Sequence, residues 1–289
     1  MKKIAVITKP DRDPGLALAA RAIKTLRSAG LVCILRPEDR HALGDLSEDG
    51  GVVFSSSGEL PKDAFCAVVF GGDGTIMRLS HESSAKNIPI LGVNLGRVGY
   101  LTEIEPDEIP LLSSLASDEL TLEKRMMLRS SIISDGKTVS ENVHSLNDIV
   151  VSKGAISSMA EIVLKSGGAL VGRYVCDGII IATPTGSTAY SLAAGGSVIE
   201  PSLECISMTP LAPQSFYSKP IIFGGDAVLE VTKGERGHGE LYVTCDGGDY
   251  AELKTGDVLR VDKSPLAARF IHIKQNHFCS VLNSKMSDL

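Results

Sequence analysis

At 289 residues, with 43% hydrophobic and 22% charged side chains, the chain has the make-up of an ordinary globular protein and room for roughly two domains of about 150 residues each. Its net charge of -6 argues against a nucleic-acid binder, which carries a basic face, so anionic ligands have to be held locally. No uninterrupted run of about 18 apolar residues occurs, and the apolar part of Met1–Pro10 is too short for a secretory leader, so neither a membrane span nor membrane contact is expected.

The first third alternates strand and helix patterns. Ile4 to Thr8 reads as a strand, Leu16 to Ala29 as a helix stopped by Gly30, and Leu31 to Leu35 as a second strand. Residues 41 to 62, rich in Gly, Ser and acidic side chains, read as a loop. Ala64 to Phe70 is an apolar strand entering Gly71-Gly72-Asp73-Gly74-Thr75, with a helix expected from Ile76. Ile88 to Val93 follows and leads into Asn94-Leu95-Gly96-Arg97-Val98-Gly99-Tyr100-Leu101. Short apolar strands separated by helices imply a parallel sheet, whose ligands bind beyond the carboxyl ends of the strands. Both glycine-rich turns fall on that edge.

The turn at 71–75 suits a phosphate, because glycine lets backbone N–H groups come close to an anion. Asp73 is the odd member, since a bare carboxylate repels phosphate unless a metal or a reacting hydroxyl lies between them. That combination points to phosphoryl transfer, although a tight strand-to-helix connection would look the same in isolation. Arg78, five residues further on, reads either as a cation for a phosphate or as a solvated helix arginine.

From about Glu123 strands alternate with the hairpin signals Asp135-Gly136, Gly167-Gly168 and Asp246-Gly247-Gly248. Strands are expected at Arg129 to Ser134, Ile149 to Ser152, Glu161 to Lys165, Ala227 to Thr232, Leu241 to Cys245, Val258 to Asp262 and Phe270 to Lys274. The fold class is therefore α/β plus all-β. A Rossmann-like α/β domain with a parallel sheet spans 1–124, a mainly β, sandwich-type domain spans 125–274, the tail 275–289 packs back on the first domain, and the active site lies in the cleft between them. Within the β half, an apolar strand delivers Thr183-Pro184-Thr185-Gly186-Ser187-Thr188-Ala189-Tyr190-Ser191 to a helix start, where free N–H groups favour anions. N-capping accounts for one or two of these hydroxyls but not for their density. Asn147-Asp148 opens the strand Ile149-Val150-Val151 and reads either as a ribose-and-base reader or as a turn. The six cysteines are scattered without C-x-x-C or a neighbouring histidine pair, which fits reduced thiols in a cytoplasm rather than zinc.

Taken together, Gly71–Thr75, Asn94-x-Gly96-x-x-Gly99-Tyr100-Leu101, Asn147-Asp148, Asp177-Gly178 and Thr183–Tyr190 resemble the motifs of bacterial NAD kinases, from residue 3 to about 275. The glycine-aspartate turn is shared with diacylglycerol, sphingosine and 6-phosphofructo kinases; the long Thr-Pro-Thr-Gly-Ser-Thr-Ala-Tyr segment is not. The resemblance implies transfer of the ATP γ-phosphoryl group to the 2′-hydroxyl of the adenosine ribose of NAD, giving NADP and ADP. Mg²⁺ or another divalent cation is expected to accompany ATP, and the sequence shows no side-chain cage for a permanent metal. The resemblance implies Asp73 as the base facing that hydroxyl, with Gly74 beside it. Asn147 and Asp148 would hold the ribose and adenine region, and Asp177 would face the dinucleotide from the β domain. Thr188, Ala189, Tyr190 and Ser191, with Ala193 after them, would line the adenine and nicotinamide pockets. It also implies a homodimer or homotetramer. The chain departs from the family pattern at Gly248, where glutamine is common, at Gln214 and Lys219, where histidine and arginine are common, and at Tyr100, where phenylalanine is common. The rival readings are a lipid or sugar kinase and a dinucleotide sensor without catalysis; no G-x-G-x-x-G follows the first strand, which argues against a dehydrogenase.

Overall fold

The computed structural model describes the chain except residues Asp49, Arg97, Val98, Glu141, Asn142, 155–159, Gly237, His238, 275–277, Asp288 and Leu289, and it leaves aside the side chains of 249, 250, 280 and 285–287. The chain divides into two compact units, Met1–Lys124 with Ala268–Leu289, and Arg125–Ala267. Residues 268–274, expected in the β domain, thus belong to the first unit. The reason is a pairing: Phe270, near the end of the last strand, lies beside Ile90 in parallel register.

In the first unit the strands are β1 (Lys3–Ile7), β2 (Val32–Leu35), β3 (Val52–Phe54), β4 (Cys66–Gly71) and β5 (Ile90–Asn94), in the order β5-β4-β1-β2-β3 and all parallel. The chain runs outward from β1 to β3 and returns on the other side of β1. This puts a topological switch point between β1 and β4, the place where open α/β sheets bind ligands. Every residue of β4 and β5 is buried, as in a strand covered on both faces. Helix α1 (Ala17–Ser28) buries Ala19, Ala22, Ile23 and Leu26, one apolar stripe at helical spacing. The Asp13 carboxylate accepts the Leu18 and Ala19 N–H groups at 3.0 and 2.9 Å, and Gly30 at φ 79° ends the helix as anticipated.

Residues 41–62 are more ordered than their composition suggests. They hold the end of a one-turn helix α2 (Arg40–Leu43), a 3₁₀ segment Gly44–Glu48, and β3. A three-residue edge strand makes almost no periodic signal, and β3 is fixed by its pairing to β2. Helix α3 (Asp73–Lys86) starts three residues before the expected point, and a 3₁₀ helix over Pro106–Ala116 places Ile109, Leu112 and Leu115 in the same core.

The second unit is built from strands β6 (Thr121–Ser134), β7 (Lys137–Thr138), β8 (Val143–Ser145), β9 (Asp148–Lys153), β10 (Ala160–Ser166), β11 (Ala169–Cys176), β12 (Gly178–Ala182), β13 (Cys205–Leu211), β14 (Ile221–Gly224), β15 (Leu229–Lys233), β16 (Leu241–Cys245), β17 (Gly248–Leu253) and β18 (Val258–His272), with one short helix α4 (Tyr190–Ala193). Strands β6 and β18 carry the chain between the units. One antiparallel sheet runs β14-β13-β12-β9-β16-β17, and β11-β10-β15-β18 follow one another in a second, with β6 on β18. Alternate residues of both sheets meet in one core: Ile149, Val151, Ile179, Ile181 and Val243 from the first, Ile162, Leu164, Val231 and Val261 from the second. Each such buried aliphatic side chain contributes roughly 1.5–3 kcal/mol relative to exposure. All three hairpin signals are turns with two successive positive φ values: Asp135-Gly136 (49° and 73°), Gly167-Gly168 (56° and 81°) and Asp246-Gly247 (49° and 70°), the twist that matches flanking strands. Helix α5 (Phe278–Ser287) is grouped with the first unit. Among the described residues no helix is long and apolar enough to cross a membrane.

Candidate active site

In the first unit Asp73 is the opening residue of α3, two residues after β4 ends. Its Oδ2 accepts the Tyr100 N–H at 2.8 Å and its Oδ1 the Leu101 N–H at 3.0 Å. A Cβ on Gly99 would lie 2.2 Å from Asp73 Oδ1 and 2.8 Å from Thr102 Oγ1, so this glycine is required by close approach to the carboxylate. Asn94 ends β5 opposite Gly71 and ties down the same loop. Its Oδ1 accepts the Gly96 N–H at 3.0 Å, and its Nδ2 donates to the Gly96 carbonyl at 3.2 Å and to the Glu105 carboxylate at 3.1 Å. The Leu95 N–H donates to the Gly71 carbonyl at 3.3 Å. The two glycine-rich turns are therefore one structure, with a half-buried carboxylate at its centre; Arg97 and Val98 of that motif lie outside the described residues. Gly74 is exposed, and a Cβ there would meet nothing within 4 Å. Arg78 is exposed on α3. Burial and the neighbouring Asp73 carboxylate push the Tyr100 phenol up from its ordinary value, so it stays protonated.

In the second unit Asn147 and Asp148 join β8 to β9. The N–H groups of Leu146, Asn147 and Asp148 all donate to the Asp246 carboxylate, at 2.7, 2.8 and 3.1 Å. The opposite side of the segment meets Thr183: its N–H donates to the Asn147 carbonyl at 2.9 Å and its hydroxyl to the Leu146 carbonyl at 2.6 Å. Asp148 is only 6% exposed, and burial together with the Asp246 charge pushes its carboxyl up to about 7.

The hydroxyls of residues 183–191 have a structural use that their density in the sequence concealed. Thr183 Oγ1 also accepts the Gly186 N–H at 3.0 Å, and Ser187 Oγ donates to Pro184 O at 2.6 Å while accepting the Ile199 N–H at 2.9 Å. Thr188 Oγ1 donates to Thr185 O at 3.2 Å, Thr185 Oγ1 accepts from Arg125 at 3.3 Å, and Ser191 Oγ pairs with Thr209 Oγ1 at 2.9 Å. Most of the set thus builds a turn of irregular backbone whose N–H and C=O groups need partners. The helix after it is a single turn, Tyr190–Ala193, too short for the anion-binding start expected there. Tyr190 is 50% exposed and Ala193 exposed, Thr188 and Ala189 are half-buried, and Ser191 is buried. Asp177 lies at the other end of β12 from this segment, since Gly178 pairs with Ser152 while Ala182 pairs with Asp148, and it forms an ion pair with Lys153 at 2.6 Å. Gly248 opens β17, and a Cβ there would meet only the Cys245 carbonyl, at 3.6 Å, so its surroundings do not demand glycine; Gln214 and Lys219 are exposed. The sequence reading gave Asp246 no role, although it stands first in Asp246-Gly247-Gly248, both a hairpin signal and the stretch in which Gly248 departs from the family pattern.

None of the six cysteines is in a disulfide, and burial pushes the Cys33 and Cys66 thiols up to about 12 and Cys176 up to about 11. Among the described residues no three His, Cys, Asp or Glu side chains gather closely enough to hold a metal ion.

Residues 56–117 match the model of the ATP-NAD kinase N-terminal domain and residues 146–273 that of the ATP-NAD kinase C-terminal domain. The NAD kinase of Symbiobacterium thermophilum is 34% identical over 290 residues, covering 99% of each chain, and that of Acetivibrio thermocellus is 35% identical over 293 residues, covering 100% of this chain and 98% of the relative. Among solved structures, an NAD kinase from Archaeoglobus fulgidus in complex with ATP superimposes with a TM-score of 0.72 at 27% identity, over 98% of this chain and 99% of the other. Yeast NADH kinase complexed with NADH superimposes with a TM-score of 0.84 over 99% of this chain and 88% of the other, a likeness of fold at 22% identity.

Proposed function

The chain belongs to the ATP-NAD kinase family, and from that premise we propose that it transfers the γ-phosphoryl group of ATP to the 2′-hydroxyl of the adenosine ribose of NAD, giving NADP and ADP. The observation that carries the reading is Asp73: a carboxylate at the carboxyl edge of a parallel sheet, with both oxygens oriented by main-chain amides and open space at its neighbour Gly74. The transition state of phosphoryl transfer is loose and anionic, so the protein supplies mainly position and charge compensation. Asp73 orients the attacking hydroxyl and takes its proton late in the step, worth about 10²–10⁴ in rate for a positioned base.

Asn147 and Asp148 hold the ribose and adenine region. Thr188, Ala189, Tyr190 and Ala193 offer accessible surface to the dinucleotide, while Ser191 serves through its backbone because its hydroxyl is engaged by Thr209. Arg78 completes the set by facing a phosphate, and Asp177, at the opposite end of β12 from Asp148, would meet the dinucleotide only at its far end. ATP as donor is supported by the relative solved with ATP. Mg²⁺ would enter with the triphosphate and offset its charge. The protein works in the cytoplasm as a homodimer or homotetramer.

The test is purified protein with NAD, Mg²⁺ and either ATP or polyphosphate, with NADP read out by a specific dehydrogenase. NADP formation is expected, and Asp73→Asn should lower turnover at least about a hundredfold while NAD binding survives. Wild-type turnover in that variant, or NAD binding without NADP from any donor, overturns the assignment.

A further inference from the structure

We infer that Asp246 is the positioning residue of the dinucleotide site, setting the direction in which Asn147 and Asp148 are presented. The inference rests on the reading that Asn147 and Asp148 contact the dinucleotide. Asp246 occupies the first position of the β16–β17 turn at φ 49°, a conformation in which glycine, asparagine and aspartate are the tolerated residues. A turn alone would be satisfied by any of them. The carboxylate does something more: it gathers three consecutive N–H groups, from Leu146 at 2.7 Å, Asn147 at 2.8 Å and Asp148 at 3.1 Å, and the Asp246 N–H returns to the Asp148 carbonyl at 3.0 Å. Successive amides converging on one anion form a concavity that fixes local φ and ψ.

The carbonyls of the same segment are held from the β12 side, Leu146 by the Thr183 hydroxyl and Asn147 by the Thr183 N–H. A Cβ on Gly186 would stand 2.1 Å from the Asn147 carbonyl oxygen, so that side cannot yield. Clamped between Thr183 and Asp246, the backbone of 146–148 has one arrangement, and the side chains of Asn147 and Asp148 leave it in directions that Asp246 decides. Asp246 also acts on Asp148 through its charge. Among the described residues it is the charged group whose field raises the proton affinity of the buried Asp148 carboxyl, while the β12 neighbours Ala182 and Thr183 are uncharged. Asp246 therefore sets both the aim and the ionisation of Asp148, a combination that a purely structural turn residue would not have.

The experiment uses the full chain and four variants: Asp246→Asn, Asp246→Glu, Asn147→Ala and Asp148→Asn. Removing the charge-assisted anchor in Asp246→Asn should raise KM for NAD about tenfold or more with KM for ATP within about twofold. The acid limb of kcat/KM for NAD should move to lower pH, because Asp148 loses its negative neighbour. Asp246→Glu, which keeps the charge and displaces the anchor by one methylene, should raise KM for NAD and leave the acid limb in place. If Asp246→Asn does not fold, the Glu variant carries the test, and a wild-type KM there overturns the inference. If Asn147→Ala and Asp148→Asn leave KM for NAD unchanged, the underlying reading of the site fails. If they raise it while Asp246→Asn keeps both wild-type KM and wild-type acid limb, the positioning role alone fails.

Discussion

Replacing Gly99 by alanine adds one methyl group, and the surroundings of that methyl make the outcome specific. Its position would be 2.2 Å from Asp73 Oδ1, more than about 1 Å short of van der Waals contact. Two relaxations are available. Either the carboxylate rotates away from the position its hydrogen bonds define, or the 99–102 loop withdraws and lengthens the bonds from the Tyr100 and Leu101 amides at 2.8 and 3.0 Å. Bonds to a charged group are worth about 1.5–3 kcal/mol each, and either course weakens them and leaves the reacting oxygen misplaced by about 1 Å. A misplacement of that size costs on the order of 10² in rate, or about 2.7 kcal/mol in the barrier. Gly99→Ala is therefore expected to lose about a hundredfold in kcat with KM for NAD changed only a few-fold and a modestly lowered melting temperature. Gly96→Ala is the control, because a Cβ there meets nothing within 4 Å, and it should retain normal turnover. The measurement is NADP formation at saturating NAD and Mg-ATP beside a thermal unfolding curve. A Gly99→Ala enzyme with kcat within about threefold of wild type would refute the placement of Asp73 at the reacting hydroxyl.

Gly74→Ala should raise helix stability by about 0.5–1 kcal/mol, since the added methyl meets no protein atom, yet lower affinity for NAD or ATP several-fold because ligand must occupy that space; titration calorimetry beside thermal melts separates the two effects. Gly186→Ala faces backbone instead, with the Asn147 carbonyl oxygen at 2.1 Å and its carbon at 2.5 Å, so it should cost about 1–3 kcal/mol of stability and raise KM for NAD together. His272 lies between Glu103 (Nδ1 to Oε2, 3.1 Å) and Glu123 (Nε2 to Oε2, 2.7 Å), and those hydrogen bonds, Glu103 first, push it up to about 9 from 6.5 despite its burial. A raised histidine stabilises in full below its unfolded value and loses that contribution as pH climbs to about 9, so the wild-type melting temperature should fall between pH 6.5 and 9.5 more steeply than that of His272→Gln.

What the sequence made legible follows from how far each signal reaches. The buried parallel strands, the helix ended by Gly30 and the three hairpins are local features, with every determinant inside a short window. Strand β3 was hidden because its three residues owe their form to β2, 17 or more residues earlier in the chain. The edge strand β11 carries mostly exposed or half-exposed side chains and so lacks a clean alternation, and β14, Ile-Ile-Phe-Gly, is too short and uniformly apolar to show one. In the site, the glycine at 99 could be recognised as a motif member but not as the residue that lets a loop reach Asp73, since that contact spans 26 residues. The hydroxyls of 183–191 carry a different limit: a polar cluster in sequence does not reveal which of its members bond the chain's own carbonyls and which are left for a ligand.

Counting acceptor capacity separates the two carboxylates that organise these sites. An ionised aspartate offers about four lone-pair directions. Asp246 receives three main-chain N–H groups, and its place is a hairpin turn that binds a neighbouring segment. Among the described residues Asp73 receives two, from Tyr100 and Leu101, and it is half-buried beside an exposed glycine. The same device, backbone amides converging on a carboxylate, therefore has opposite consequences. Nearly saturated, it becomes a rigid post that orients other residues; half-filled, it becomes an oriented acceptor with room for a hydroxyl. Charge-neutral replacement distinguishes them, because Asp246→Asn should act mainly on KM for NAD and on its pH dependence, whereas Asp73→Asn should act on turnover.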